Sequence, residues 1–246
     1  MAENKFPTEV VDLPSEGKFY SNDSPLKEGK IEIKYMTAKE EDILTSQNLI
    51  KKGVVIQKLM DELIVTPGVK SDDLFIGDKN AVMVAARILA YGPDYTVEIT
   101  NPLNNKQENH TFNLANCPFK KIPNSVTESD FTIELPVSKA KVKYKLLTGK
   151  EEQLIDQELA ALAKIGKSGE ITTRLRHSIV SVNGKTEKVE INQFIDTLLS
   201  RDSIVLRQEM VKNAPDIELA QEIEIGGETV KVDIPLTADF FWPSSI

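Results

Sequence analysis

Four glutamates stand in two adjacent pairs, Glu40–Glu41 and Glu151–Glu152. Paired carboxylates are the material of general acid–base catalysis or of cation binding, provided a fold sets them around a substrate or an ion. Each pair, however, follows a threonine, in Thr37-Ala-Lys-Glu40 and in Thr148-Gly-Lys-Glu151. That spacing is a capping box: the threonine oxygen takes a free backbone N–H, and the glutamate reaches back to the cap. Two acids in a first turn also suit the positive end of a helix. Capping accounts for both pairs without a substrate. Asn80 and Asp202, each ahead of an apolar stretch, are read as two further N-caps.

The other reactive residue types form no constellation. Neither His110 nor His177 has a cysteine or second histidine at ligand spacing, and Ser178 beside His177 is no triad, because adjacency does not aim side chains for proton transfer. Cys117 is the single cysteine, which excludes an intrachain disulfide and a multi-thiolate zinc site. Gly226-Gly227 and Asn183-Gly184 read as hairpin turns rather than phosphate loops. The expectation is a non-enzyme with no catalytic residue, metal ligand, cofactor or small-molecule substrate. Arg174 and Arg176 beside His177, and Lys120-Lys121, are small basic spots. They suit an amphipathic face or an acidic partner. A net charge of −8 argues against nucleic acid. No run suits a signal peptide or a membrane span, so the expected setting is a reducing cytosol.

The elements that must position these residues occur twice. IEIKYMTAKEEDIL (31–44) matches KVKYKLLTGKEEQLI (141–155), a half-buried strand running into a capped helix. Each copy continues with a second helix, a turn, and a third helix, expected at Asn80–Tyr91 and Asp202–Asn213. Pro93-Asp94 and Pro215-Asp216 close these helices, and a strand pair follows. Ile56, Leu59, Met60 and Leu63 have the spacing of a buried helical face, as nearly do Leu154, Leu159 and Leu162. The run Ala81–Leu89 is apolar on almost every face and predicts a central helix. The fold class expected is α+β, as two tandem copies of a strand–helix–helix–helix–β-hairpin unit. Residues 1–120 form the first unit, with an N-terminal hairpin or arm carrying Asn22-Asp23 at its tip. Residues 121–246 form the second, with a loop or linker near 116–128.

Only the second unit ends in an aromatic cluster, Phe240-Phe241-Trp242-Pro243. Chain ends are commonly polar and frayed, so this cluster is expected to fold back on the second unit or to anchor a partner. Phe240, Phe241, Trp242, Pro243, Arg174 and Arg176 are the candidate partner-binding residues.

MTAKEEDILTSQNLIKKG, IGDKNAVMVAARILAYG, LLTGKEE, EITTRLRHSIVSVNG, LLSRDS and the closing FFWP, in this order, resemble the baseplate hub proteins of T-even-type contractile-tailed bacteriophages. The resemblance runs from about Leu13 to Pro243. It implies a hub subunit or hub assembly factor without enzymatic activity, whose partners are other tail and baseplate proteins such as a hub or tape-measure protein. It implies a place in the host cytoplasm during assembly and in the tail baseplate of the virion. Some members carry cysteine pairs in their strand-to-strand turns, like a zinc ribbon. The matching turns here, TNPLNNKQENH and EIGGETV, have none, which puts zinc in doubt. Two alternatives differ in kind: a transient assembly chaperone for a hub or tape-measure protein, and a nucleic-acid-binding module of zinc-ribbon-like descent.

Overall fold

The computed structural model describes residues 6–101, 105–123, 130–225, 228–234 and 238–241. It is α+β, with helices packed among small antiparallel sheets. In the first half, β1 (Thr8–Asp12) pairs with β2 (Lys30–Lys34). The connection between them is not a tight hairpin. Asn22 and Asp23 lie within a long link that also holds the 3-10 turn Pro25–Glu28. Helices α1 (Ala38–Leu44), α2 (Gln47–Lys51), α3 (Val55–Leu63) and α4 (Ile76–Tyr91) follow, then the hairpin β3 (Asp94–Thr100) and β4 (Gln107–Asn113).

The second half runs in a related order. β5 (Asp130–Glu134) pairs with β6 (Lys141–Lys145), and α5 (Gly149–Lys164) and α6 (Glu170–Ser178) follow. β7 (Ile179–Val182) then returns to pair with β6. Helices α7 (Lys188–Asp196) and α8 (Ser200–Asn213) lead to the pair β8 (Ala220–Ile225) and β9 (Glu228–Asp233). Where β7 adds a third strand to β6, the first half has a single bridge, Ile33 to Ile64. The Asn183-Gly184 turn holds φ of 50° and 80°, the left-handed pair a two-residue hairpin requires. Gly226-Gly227 lies outside the described residues.

The expected unit of one strand, three helices and a hairpin is corrected: among the described residues each half has four α-helices, and in the second half β5 and β7 flank the one strand, β6, that was expected. Two further expectations shift along the chain. α4 and α8 begin ahead of Asn80 and Asp202, with Phe75 and Leu199 as their N-caps. Asn80 and Asp202 are therefore helix residues, not caps. In α5 the buried apolar side chain is Ile155, fully enclosed, while its neighbour Leu154 is exposed. One helical position separates faces about 100° apart, so the expected stripe was wrong at Leu154, while the half-buried Leu159 and Leu162 lie on the face of Ile155.

The halves share one core. A continuous cluster of buried apolar side chains runs from Leu13 to Phe241, with Phe19 of the first half edge-on to Phe131 of the second at 6.0 Å. The backbone also crosses the joint: Phe75 bridges Thr148, the Ile76 N–H donates to Leu147 O at 3.2 Å, and the Gly149 N–H to Leu74 O at 2.9 Å. Two glycines allow this approach. A Cβ on Gly77 would lie 1.8 Å from Pro215 O, and one on Gly149 would lie 2.8 Å from Ser71 O. The stretch expected as a loop or linker is tied down where it is described. Phe119 bridges Ile217, and the Lys120 N–H donates to Asp216 O.

Candidate interaction site

The paired glutamates form two matching constructions. The Thr37 N–H and hydroxyl both donate to Glu40 Oε2, at 2.9 and 2.6 Å, completing the capping box. Lys34, one turn of chain earlier on β2, donates to the other oxygen at 2.9 Å. In the second half Thr148 donates through N–H and hydroxyl to Glu151 Oε2, and Lys145 from β6 reaches Oε1 at 2.6 Å. Burial alone would raise both carboxyls. The lysine and threonine hydrogen bonds outweigh it and hold Glu40 and Glu151 at about 2. Carboxylates that accept three hydrogen bonds and stay ionised are poor proton shuttles at neutral pH. The capping role read from the sequence fits this geometry; the strand lysine was missed, although Lys-x-x-Thr-x-x-Glu occurs in both halves.

A second matched pair went unrecognised. Asp78 and Asp202 are each the third residue of their helix, α4 and α8, and each is fully enclosed. Asp78 accepts from the Ser15 N–H at 2.8 Å and the Tyr20 hydroxyl at 2.7 Å. Asp202 accepts from the N–H groups of Val137 and Ser138, at 2.8 and 2.9 Å. Both thus hold the chain that leaves the first strand of their half through Leu13-Pro14 and Leu135-Pro136. Burial pushes Asp78 above the ordinary carboxylate range despite the Ser15 and Tyr20 bonds, and Asp216 adds repulsion. For Asp202 desolvation also raises the carboxyl, but its Ser138 and Val137 bonds outweigh it and hold the group below that range. The recurring Leu-Pro after each first strand was the signal available in the sequence.

Two of the four tail residues sit in the core. Phe240 and Phe241 are 2% and 1% exposed. Phe240 packs edge-on to Tyr95 at 5.1 Å, and its carbonyl accepts from Arg87 Nε at 2.9 Å. The tail therefore folds back, with Phe240 set against α4 and β3 of the first half. Enclosure on this scale withdraws Phe240 and Phe241 from direct contact with a partner while the chain is folded. Trp242 and Pro243 lie outside the described residues.

The basic spot on α6 is neutralised from within. Arg174 makes two bonds to Glu152, at 2.9 and 2.6 Å, and reaches Glu170 at 3.5 Å. Arg176 lies 3.5 Å from Glu158 and 3.3 Å from Asp196, and His177 is 3.4 Å from Glu158. Lys120 is spent on carbonyls at the end of α8, those of Val211 in its last turn and of Ala214 just beyond it. Cys117 is buried beside Gln221. Among the described residues, no group of three or more His, Cys, Asp or Glu side chains is placed to hold a metal ion, and no helix is long and apolar enough to cross a membrane.

What the sequence did not signal is a groove of about 550 Å³ between α6 and α8. Its floor is Tyr144 and Leu146, at the end of β6. Its walls are Ile171 and Leu175 on one side and Met210 and Val211 on the other. Ile171 is 47% exposed and Val211 69%, on helices whose remaining exposed positions are largely polar. The polar groups inside are already satisfied: Asn213 donates to the Tyr144 hydroxyl at 2.9 Å, and the Ser178 hydroxyl donates to Arg174 O at 2.9 Å. Arg174 and Arg207 stand among the lining residues. An apolar trough with cationic groups at its lip suits a protein surface better than a polar substrate, which would need free groups to orient it.

Compared with known proteins, the chain matches the family described as T4 bacteriophage base plate protein over residues 6–242. No curated protein and no solved structure matches it. The match spans nearly the whole chain, both halves included, so the chain belongs to that family.

Proposed function

We propose that this T4-type phage baseplate protein is a non-enzymatic component of the baseplate hub, working through protein–protein contacts. The observation that carries the reading is the family match over residues 6–242. The geometry supports it: Glu40 and Glu151 are engaged in caps, and the basic spot on α6 is paired internally, Arg174 with Glu152 and Arg176 with Asp196. The open groove is a surface for a neighbour. We also read the two halves, 1–120 and 121–246, as copies of one unit. The matched lysine–threonine–glutamate sets and the matched Asp78 and Asp202 anchors support that reading.

Quantitative mass spectrometry of purified tails and of unfinished baseplates tests the function. A hub subunit is expected in both, at constant copy number. Presence only in unfinished particles would convert the assignment to a transient assembly chaperone. Absence from both would remove it altogether. Retention of DNA by the purified chain, with steep salt dependence, would instead favour the nucleic-acid reading, which the internal pairing of Arg174 and Arg176 disfavours.

A further inference from the structure

We infer that the α6–α8 groove is the seat of an amphipathic helix of another baseplate protein, one that carries a carboxylate for Arg207; the inference rests on the baseplate reading above. Three observations define the occupant.

The interior of the groove asks for apolar groups. Its side-chain hydroxyls, Tyr144 and Ser178, are bonded within the chain, so a polar insertion would lose its water without a partner. Ile171 and Val211, both well exposed, face a trough between two helices, and apolar side chains spaced one helical turn apart fill such a trough.

An added strand does not fit. β6, which ends at the groove floor, already has β5 on one edge and β7 on the other. Beyond its end the Leu147 carbonyl accepts from Ile76. No sheet edge is offered there, and a helix, which satisfies its own backbone, needs none.

The lip selects the charge. Lys145, Arg174 and Arg207 line the groove against one acid, Glu170, in a chain whose net charge is −8. Lys145 is taken by Glu151 and Arg174 by Glu152. Arg207 has no carboxylate partner among the described residues; its one bond is to the Ser203 carbonyl, one turn back on α8. An exposed guanidinium with open donors next to an apolar trough pairs bidentately with a carboxylate. The same charge opposes a second copy of this chain binding by its own α8 face, since a two-fold contact would bring Arg207 toward its duplicate.

The test is complementation of a phage lacking the gene, with the full-length chain supplied as wild type, Val211→Asp, Ile171→Asp, Arg207→Glu or Arg207→Lys. The substituted positions are exposed, so each variant is expected to keep the wild-type circular dichroism and melting behaviour; a variant that does not is set aside in favour of the others. Val211→Asp, Ile171→Asp and Arg207→Glu are expected to lower the yield of complete baseplates at least tenfold, and Arg207→Lys much less. Revertants of Arg207→Glu are expected to change an acidic residue to lysine or neutral in an apolar-striped helical segment of a different baseplate protein. Full complementation by all four variants overturns the groove and leaves the baseplate reading standing. Complete baseplates in the phage lacking the gene overturn the baseplate reading itself. Revertants confined to this chain, or a photo-crosslink from position 211 joining two copies of it, replace the foreign helix by self-association and overturn the proposal.

Discussion

Glu40 and Glu151 have the same partners in the same order, yet they differ in what their loss costs. The Lys34–Glu40 pair is almost closed to solvent, with side chains 13% and 1% exposed, whereas Lys145 and Glu151 are 39% and 20% exposed. Removing one member of an enclosed pair strands the other charge. Glu40→Ala is expected to cost about 3 kcal/mol, and Glu151→Ala about 1 kcal/mol, chiefly for the lost cap. Urea unfolding at neutral pH reads the difference; equal losses would show that enclosure does not govern it. Acid should reveal the same groups. Both carboxyls are depressed from 4.5 to about 2 in the folded chain. Their contribution is complete above the unfolded value and disappears as pH falls from about 4.5 toward 2. The double variant Glu40→Gln/Glu151→Gln should flatten the stability profile in that window, measured by unfolding midpoints at stepped pH. The threonine and the glutamate of each set were legible because a capping box is a local device of four residues. The lysine sits across the strand–helix corner, and the Asp78 bonds span 58 and 63 residues. No local pattern announces partners at that separation.

At the scale of elements, periodicity revealed most of the helices and the closing strand pairs. It erred where a tertiary contact set the phase. α5 buries Ile155 instead of Leu154, with its first turn held against Leu74 of the other half. α4 and α8 begin early because Phe75 and Leu199, not polar residues, occupy their N-caps. Third-position aspartates there serve the chain beyond the helix instead. The groove was illegible for a related reason. Ile171, Met210 and Val211 look like ordinary core positions until α6 and α8 are seen to leave a gap between them. The joint between halves offers a graded test. Gly77→Ala would push a methyl into the Pro215 carbonyl, while Gly149→Ala meets Ser71 at a less severe distance. The first is expected to cost about 3 kcal/mol, or roughly 6–12 °C in melting temperature, and the second about 1 kcal/mol. If Gly77→Ala melts like the wild type, the joint is looser than described.

For the whole molecule the shared core has a direct consequence. Two units with separate cores would unfold in two steps, but Phe19 on Phe131 and the strand-like contact at Phe75 and Thr148 couple them. One cooperative transition is expected, with calorimetric and van't Hoff enthalpies in agreement. Two resolved transitions would mean that the halves are autonomous. Deleting Phe240–Ile246 should destabilise the chain by about 5 kcal/mol through loss of two buried rings. Amide exchange is expected to quicken first in β3 and the end of α4, in the half farthest from the deletion in sequence.

That last contact also orders events in time. Arg87 waits for a carbonyl 153 residues downstream, so no nascent chain can finish packing its first half before Phe240 is made. A chain broken off before Phe240 leaves Tyr95 without that ring and Arg87 without that carbonyl. Long-range closure of this kind is slow, and incomplete forms expose apolar surface to quality control. For a particle built from a fixed number of parts, Phe240 and Phe241 thus act as a check on the chain, closed only once translation has passed them.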